Sequence, residues 1–173
     1  KYLSHIRRLS HCMRWNQQSR IFPISVMSHL VLITFLTYVL VMIENNNGEE
    51  YDMTEMLLRA LYHDIPEAIT GDIITPTKKA VPGFVELLEQ VEIDMMNDYL
   101  FHYIPEKYKK EIFPYILHPF QWIPGELVKN ADILSALLEA KIEVNHGSEN
   151  FKEIYRTIKK KINTFDGKSI EYV

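Results

Sequence analysis

The chain reads as an all-α protein, a helical bundle forming a single domain over residues 1–173. Three observations predict this. Most segments space their apolar residues three to four positions apart, and no segment alternates convincingly with period two. The gaps between segments hold helix stops and turns, as in Asn45-Asn46-Asn47-Gly48, Pro82-Gly83 and His146-Gly147. No internal repeat or linker divides the chain, and 173 residues with 47% hydrophobic content suffice for one core.

In order, Lys1 to about Met13 is expected to form an amphipathic helix, with Leu3, Ile6, Leu9 and Met13 inward. Arg14 to Arg20 breaks the period and is expected as a loop around an anchoring Trp15. Ile24 to Ile43 lacks any charged residue, and Pro23 fits the first turn of a helix running to about Glu44. Such a run matches a bilayer span in length. Its Ser25, Ser28, His29, Thr34, Thr37 and Tyr38 fit the buried helix of a bundle, which is the expectation adopted. Asp52 or Thr54 offers the N-cap of the next helix. Ile73 to Lys79 is expected as a loop. A helix from Phe84 to about Phe101 follows, with Val85, Leu88, Val91, Met95 and Leu100 inward and Glu86, Glu89, Glu92 and Asp94 solvated. A short helix opens at Ile104-Pro105 and ends near Ile112, and Phe113 to Pro124 is expected to be irregular. Glu126 to about Asn145 is a strong helix with Leu127, Ala131, Leu134, Leu138 and Ile142 inward. Phe151 to Ile162 is the last.

The totals narrow the function classes. A net charge of −4 leaves no basic footprint for a nucleic-acid partner. A single cysteine, Cys12, excludes an internal disulfide framework and fits a reducing, cytoplasmic setting. With six glycines there is no phosphate-cradling P-loop and no dinucleotide fingerprint. The late apolar run, without a small-residue cleavage site, is not expected to act as a signal peptide, and no membrane partner is expected.

The chemistry concentrates between Leu61 and Asp72. His63 and Asp64 stand together where Pro66 should end a helix, because proline disfavours the α conformation in the residue before it. Imidazole beside carboxylate is a ligand pair for a divalent cation of intermediate softness. Glu67 and Asp72 follow within a few residues, and Gly71 permits a tight turn between them. A His-Asp pair alone is weak, since it also caps helix ends by chance. It gains force from His29 and Asp132, each within a different apolar helix. There a carboxylate is costly unless it meets a cation or donors.

The order His29, His63-Asp64, Asp132 resembles the HD-domain superfamily of metal-dependent phosphohydrolases. A closer likeness is to the 5′-deoxynucleotidase (YfbR-like) branch, carried by Arg14-Trp15, His63-Asp64-Ile65-Pro66-Glu67, Thr70-Gly71-Asp72, Thr75-Pro76 with Lys78, and Lys129-Asn130-Ala131-Asp132. The resemblance implies a single HD domain and one divalent ion, Mn²⁺, Co²⁺, Fe²⁺ or Ni²⁺, on His29, His63, Asp64 and Asp132. It also implies a nucleoside 5′-monophosphate substrate, held by Arg14, Trp15 and Lys78, and a homodimer. Glu67 is implied as the general acid/base, and Asp72 as the group that places or activates water. One position departs from the pattern. The branch often carries a glutamate before the first ligand, where this chain has Ser28, so a carboxylate that would orient His29 is expected to be missing. His102 and His118 are expected to have surface or core roles. Two other readings are another HD phosphohydrolase, acting on a cyclic nucleotide, a triphosphate or an alarmone, and a silent metal- and nucleotide-binding module.

Overall fold

The computed structural model of the protein describes residues 1–162, so residues 163–173 of the expected domain lie outside the described residues. Among the described residues the regular structure is helical, with one isolated antiparallel bridge between Met13 and Ser25. The helices are α1 (Tyr2–Ile6), α2 (Val26–Asn46), α3 (Met53–Tyr62), α4 (Glu67–Thr70), α5 (Thr75–Lys78), α6 (Phe84–Tyr99), α7 (Glu106–Leu117), α8 (Trp122–Asn145) and α9 (Asn150–Ile162). Short 3₁₀ turns cover Arg7–Ser10 and Phe101–Tyr103.

The helices that carry the site start and stop for local reasons. Ser25 has extended backbone and its Oγ accepts the Ser28 N–H, so it caps α2 and leaves Pro23 outside the helix, not in its first turn. Asp52 caps α3 by accepting the Glu55 N–H at 2.8 Å. The α2 stop follows the Asn run, with Gly48 at φ 104°. The N-terminal helix is shorter than its pattern predicts. Cys12 and Arg14 instead pair with the chain before α2, through Val26 N–H to Cys12 O and Arg14 N–H to Ile24 O. That pairing draws the chain out of the helix. Leu3, expected inward, is 75% exposed, while Leu9 is buried.

Proline accounts for the other differences. Thr75–Lys78 is a helical turn within the expected loop, with Pro76 in its first turn, where no N–H is needed. The helix α7 passes through Pro114 to Leu117, and α8 begins at Trp122, ahead of the expected Glu126, with Pro124 in its first turn. Gly125 lies so close to the Phe120 backbone that no Cβ would fit. Of the stripe expected for α6, Leu88 and Leu100 are buried, with Met96 beside them, whereas Val85 and Val91 are exposed. Leu138 and Ile142 of α8 are also exposed, and Glu139, Ala140 and Glu143 face inward in their place.

Two apolar clusters build the core. One joins Leu9, Val26 and Leu30 to Ile65, Ala68, Met96, Phe101 and Ile116. The other joins Ile33 and Leu40 of α2 to Met56 and Ala60 of α3 and to Val128, Ala131 and Leu134 of α8. Along α2, His29 lies between Val26 of the first cluster and Ile33 of the second, at the seam of the two. Burying this apolar surface contributes about 25 cal/mol per Å². It also holds α2, α3 and α8 at fixed register around the seam. By length and composition α2 matches a membrane span. Its inner face, with His29, Thr37 and Glu44, is packed in the bundle, while Val31, Phe35, Tyr38, Val39 and Met42 are exposed.

Candidate functional site

The helix α3 ends where the sequence predicts, with His63 as its C-cap, and then tightens. Ile65 N–H bonds to Tyr62 O and Glu67 N–H to Asp64 O, three-residue spacings that wind the chain into α4. Within this turn the Asp64 carboxylate lies 3.2 Å from His63 Nε2. His63 Nδ1 donates to Ala60 O at 2.8 Å, which leaves Nε2 as the free lone pair. The other two expected ligands arrive from α2 and α8. His29 Nε2 is 3.6 Å from Asp64 and 3.4 Å from Asp132 Oδ1. Asp132 takes Lys129 Nζ on its other oxygen at 2.5 Å.

Whether these residues fit a metal ion is tested by what they lack. His29 Nε2 and His63 Nε2 are both buried, and neither has a hydrogen-bond partner. Buried polar atoms are otherwise nearly always paired. Atoms of His29, His63 and Asp64 converge within 4.8 Å of one another. Neighbouring ligands of a six-coordinate ion with bonds of about 2.1 Å lie about 3 Å apart, close to these separations. Two imidazoles and two carboxylates are a donor set for a divalent first-row ion. The residues fit.

Beside this cluster sit the two carboxyls that follow in the sequence. Glu67, in the first turn of α4, is buried and its Oε2 has no partner. Its pKa is pushed up to about 10, first by burial and then by the charges of Asp64 and Asp72, against the pull of Arg14 and Lys78. Asp72 is raised by burial, while Arg14 and the Trp15 N–H hold it down. Burial alone would raise Asp64 and Asp132. Asp64 is nevertheless lowered by His63, and Asp132 by His29 and Lys129.

The loop after the first turns supplies the cation. Arg14 Nη1 is 3.5 Å from Asp64, and its Nε is 3.4 Å from Glu139. Trp15 adopts φ 56°, a left-handed conformation strained for a bulky residue. Its backbone N–H is held by Asp72 at 3.1 Å and its indole N–H by Glu139 at 2.8 Å. Trp15 is therefore an anchor of the loop that carries Arg14. Lys78 lies close enough to lower both Glu67 and Asp72. Glu92, expected to be solvated, is half-buried, and it too feels Lys78 and Asp64. His102 and His118 are exposed, as expected.

Sequence reasoning missed Glu139, Glu143 and the destination of Arg20. Arg20 is bound to both glutamates at 3.2 Å. Glu143 also accepts the N–H groups of Ile21 and Phe22 at 2.9 Å. A signal was present: Asp132, Ser135, Glu139 and Glu143 are spaced three, four and four residues apart, which puts them on one helix face. The expectation that His29 lacks an orienting carboxylate is corrected. Ser28 is exposed and bonds Ser25, while Glu139 Oε1 reaches His29 Nδ1 at 3.2 Å and Ser135 Oγ lies at 3.1 Å.

Known proteins resemble this chain in sequence and fold. A 5′-deoxynucleotidase of Vibrio parahaemolyticus is 27% identical over 152 residues, covering 87% of this chain and 78% of the relative. Another, of Photobacterium profundum, is 25% identical over 173 residues, covering 99% of this chain and 89% of the relative. Among solved structures, an HD-domain phosphohydrolase of Listeria innocua superposes with TM-score 0.86 at 24% identity, covering 99% of this chain and 83% of that one. The helical bundle is thus of the HD-domain type. A family model described as 5′-deoxynucleotidase YfbR-like matches residues 1–173, and the chain belongs to that family.

Proposed function

We propose that this chain, as one HD domain over residues 1–173, is a metal-dependent phosphohydrolase that releases phosphate from nucleoside 5′-monophosphates, deoxyribonucleotides foremost. One observation carries the reading: two buried, unpaired imidazole nitrogens and two carboxylates converge beside the buried carboxyl of Glu67 and the guanidinium of Arg14. His29, His63, Asp64 and Asp132 would hold one divalent ion, Mn²⁺, Co²⁺, Fe²⁺ or Ni²⁺. When bound, the ion supplies Lewis acidity at the phosphoryl group and acidifies a water. Arg14 stabilises charge on the phosphoryl oxygens, the main demand of phosphate ester hydrolysis, and Lys78 adds a second positive field. Glu67, protonated at neutral pH, delivers the proton that the departing sugar alkoxide needs. Asp72 has one oxygen on the Trp15 N–H and positions the attacking water with the other. Trp15 keeps Arg14 in place.

A monophosphate fits better than a triphosphate because Arg20 is consumed by Glu139 and Glu143, which leaves Arg14 and Lys78 to meet the phosphate. The poised Glu67 argues against a silent binding module. The exposed apolar face of α2 supports a homodimer, and the free thiol of Cys12 supports a cytoplasmic setting.

The test is phosphate release from ribo- and deoxyribonucleoside monophosphates by chelator-stripped protein given Mn²⁺, Co²⁺, Mg²⁺ or Zn²⁺ singly. Metal-dependent release that falls about a hundredfold or more in Glu67→Ala is the expected result. Preference for the deoxy substrates supports the narrower assignment. Absence of release with every metal, while metal still binds, overturns it.

A further inference from the structure

We propose that Glu139 is a positioning residue for both halves of the site: from α8 it fixes the ring orientation of His29 and, with the same carboxylate, clamps the loop that carries Arg14 and Trp15. The proposal rests on the metal-dependent reading above.

Glu139 is 1% exposed, and both of its oxygens are used. Oε1 faces His29 Nδ1 at 3.2 Å and Arg14 Nε at 3.4 Å. Oε2 accepts the Trp15 indole N–H at 2.8 Å and Arg20 Nη1 at 3.2 Å. Each oxygen thus faces an arginine and a second nitrogen, the surroundings that suit an ionised carboxylate.

The chemistry of the acceptor matters. Ser135 Oγ also lies 3.1 Å from His29 Nδ1, but a hydroxyl either donates or accepts and so fixes no tautomer. An ionised carboxylate only accepts. It therefore requires the proton on Nδ1 and leaves Nε2 as the lone pair facing Asp64 and Asp132. Ala60 O does the same for His63.

Placement on α8 adds a second consequence. Glu139 lies seven residues after Asp132, two helical turns along the same face. One rigid helix thus carries a ligand, the group that orients a second ligand, and the anchor of the loop holding Arg14.

Glu143 provides an internal control. It is buried one turn further along α8 and holds the same loop through Arg20, Ile21 and Phe22, and it makes no contact with His29. If Glu139 merely braced the loop, losing either glutamate would have the same consequences.

The experiment is Mn²⁺ titration of the chelator-stripped full chain, with free Mn²⁺ followed by electron paramagnetic resonance, for wild type, Glu139→Gln, Glu139→Ala and Glu143→Gln. Helical circular dichroism checks each fold. Both Glu139 variants are expected to bind Mn²⁺ about tenfold or more weaker, the loss typical of a removed ligand-orienting group. Glu143→Gln is expected to stay within about twofold of wild type. In turnover at saturating Mn²⁺, the Glu139 variants should raise KM as Arg14 and Trp15 loosen. The conservative Glu139→Gln keeps the test meaningful if Glu139→Ala does not fold. Wild-type Mn²⁺ affinity in folded Glu139→Gln overturns the proposal, as does an equal loss in Glu143→Gln. If wild type binds no Mn²⁺, the metal reading and this proposal fall together. If it binds Mn²⁺ without releasing phosphate, only the substrate assignment falls, and the affinity comparison still decides the role of Glu139.

Discussion

Glu67 concentrates the conflict between stability and chemistry at the scale of one residue. In the folded chain its carboxyl is pushed up to about 10, chiefly by burial, against an ordinary value of 4.5. A raised folded-state value contributes stability fully present below about pH 4.5 and lost as pH rises from there towards 10. Glu67→Gln removes that loss. At pH 8, without metal, the variant should be more stable than wild type, with a higher Tm, and at pH 4 it should match wild type. The same substitution should cut turnover about a hundredfold and abolish the fall in rate on the alkaline side, where the acid form is lost. Paired melting curves and pH–rate profiles check both outcomes. A variant less stable at pH 8 would show that Glu67 has a hidden partner.

Between elements, tight junctions set the geometry. Arg59 of α3 is buried, pairs with Glu55, and donates to the carbonyls of His118 and Pro119 at 3.0 Å, tying the turn before α8 to the helix that ends in His63-Asp64. Gly125, in the first turn of α8, lies against the Phe120 backbone of that turn. Gly125→Ala should therefore push α8 away from α3 and cost about 1–3 kcal/mol, measured by denaturant unfolding. Because α8 carries Asp132, Mn²⁺ affinity should fall with it. An unchanged midpoint would show that the turn relaxes freely. Element boundaries were legible where a side chain or a turn residue caps the helix, as at Asp52 and Gly48. They were misread around Pro114 and Pro124, where tertiary packing extends helices through or from a proline.

At the scale of the whole molecule, one helix face is left uncovered by packing among the described residues. Val31, Phe35, Tyr38, Val39 and Met42 of α2 are exposed, although the opposite side of α2 is core. Scattered exposed apolar residues are normal, but a run along one helix marks an interface. Phe35→Glu, at 68% exposure, should leave the fold intact and convert a dimer to a monomer in sedimentation velocity. A wild-type monomer at micromolar concentration would remove the homodimer from the assignment.

Sequence by itself determined the class and most of the cast. Helical periodicity, the stop at His63-Asp64 and the clustering of His63, Asp64, Glu67 and Asp72 are local properties, dictated by backbone sterics and side-chain chemistry within a dozen residues. His29 and Asp132 were legible as costly polar residues in apolar helices. Only the tertiary structure decided where the charges of the loop and of α8 go. Arg20, at the end of the expected loop, is bound by two glutamates, while Glu139 and Glu143 took the inward positions expected of Leu138 and Ile142. The reason is that a buried carboxylate is tolerable only beside its donors. Those donors, Arg14, Trp15, Arg20 and His29, lie more than a hundred residues away in the chain and meet it only across the packed seam.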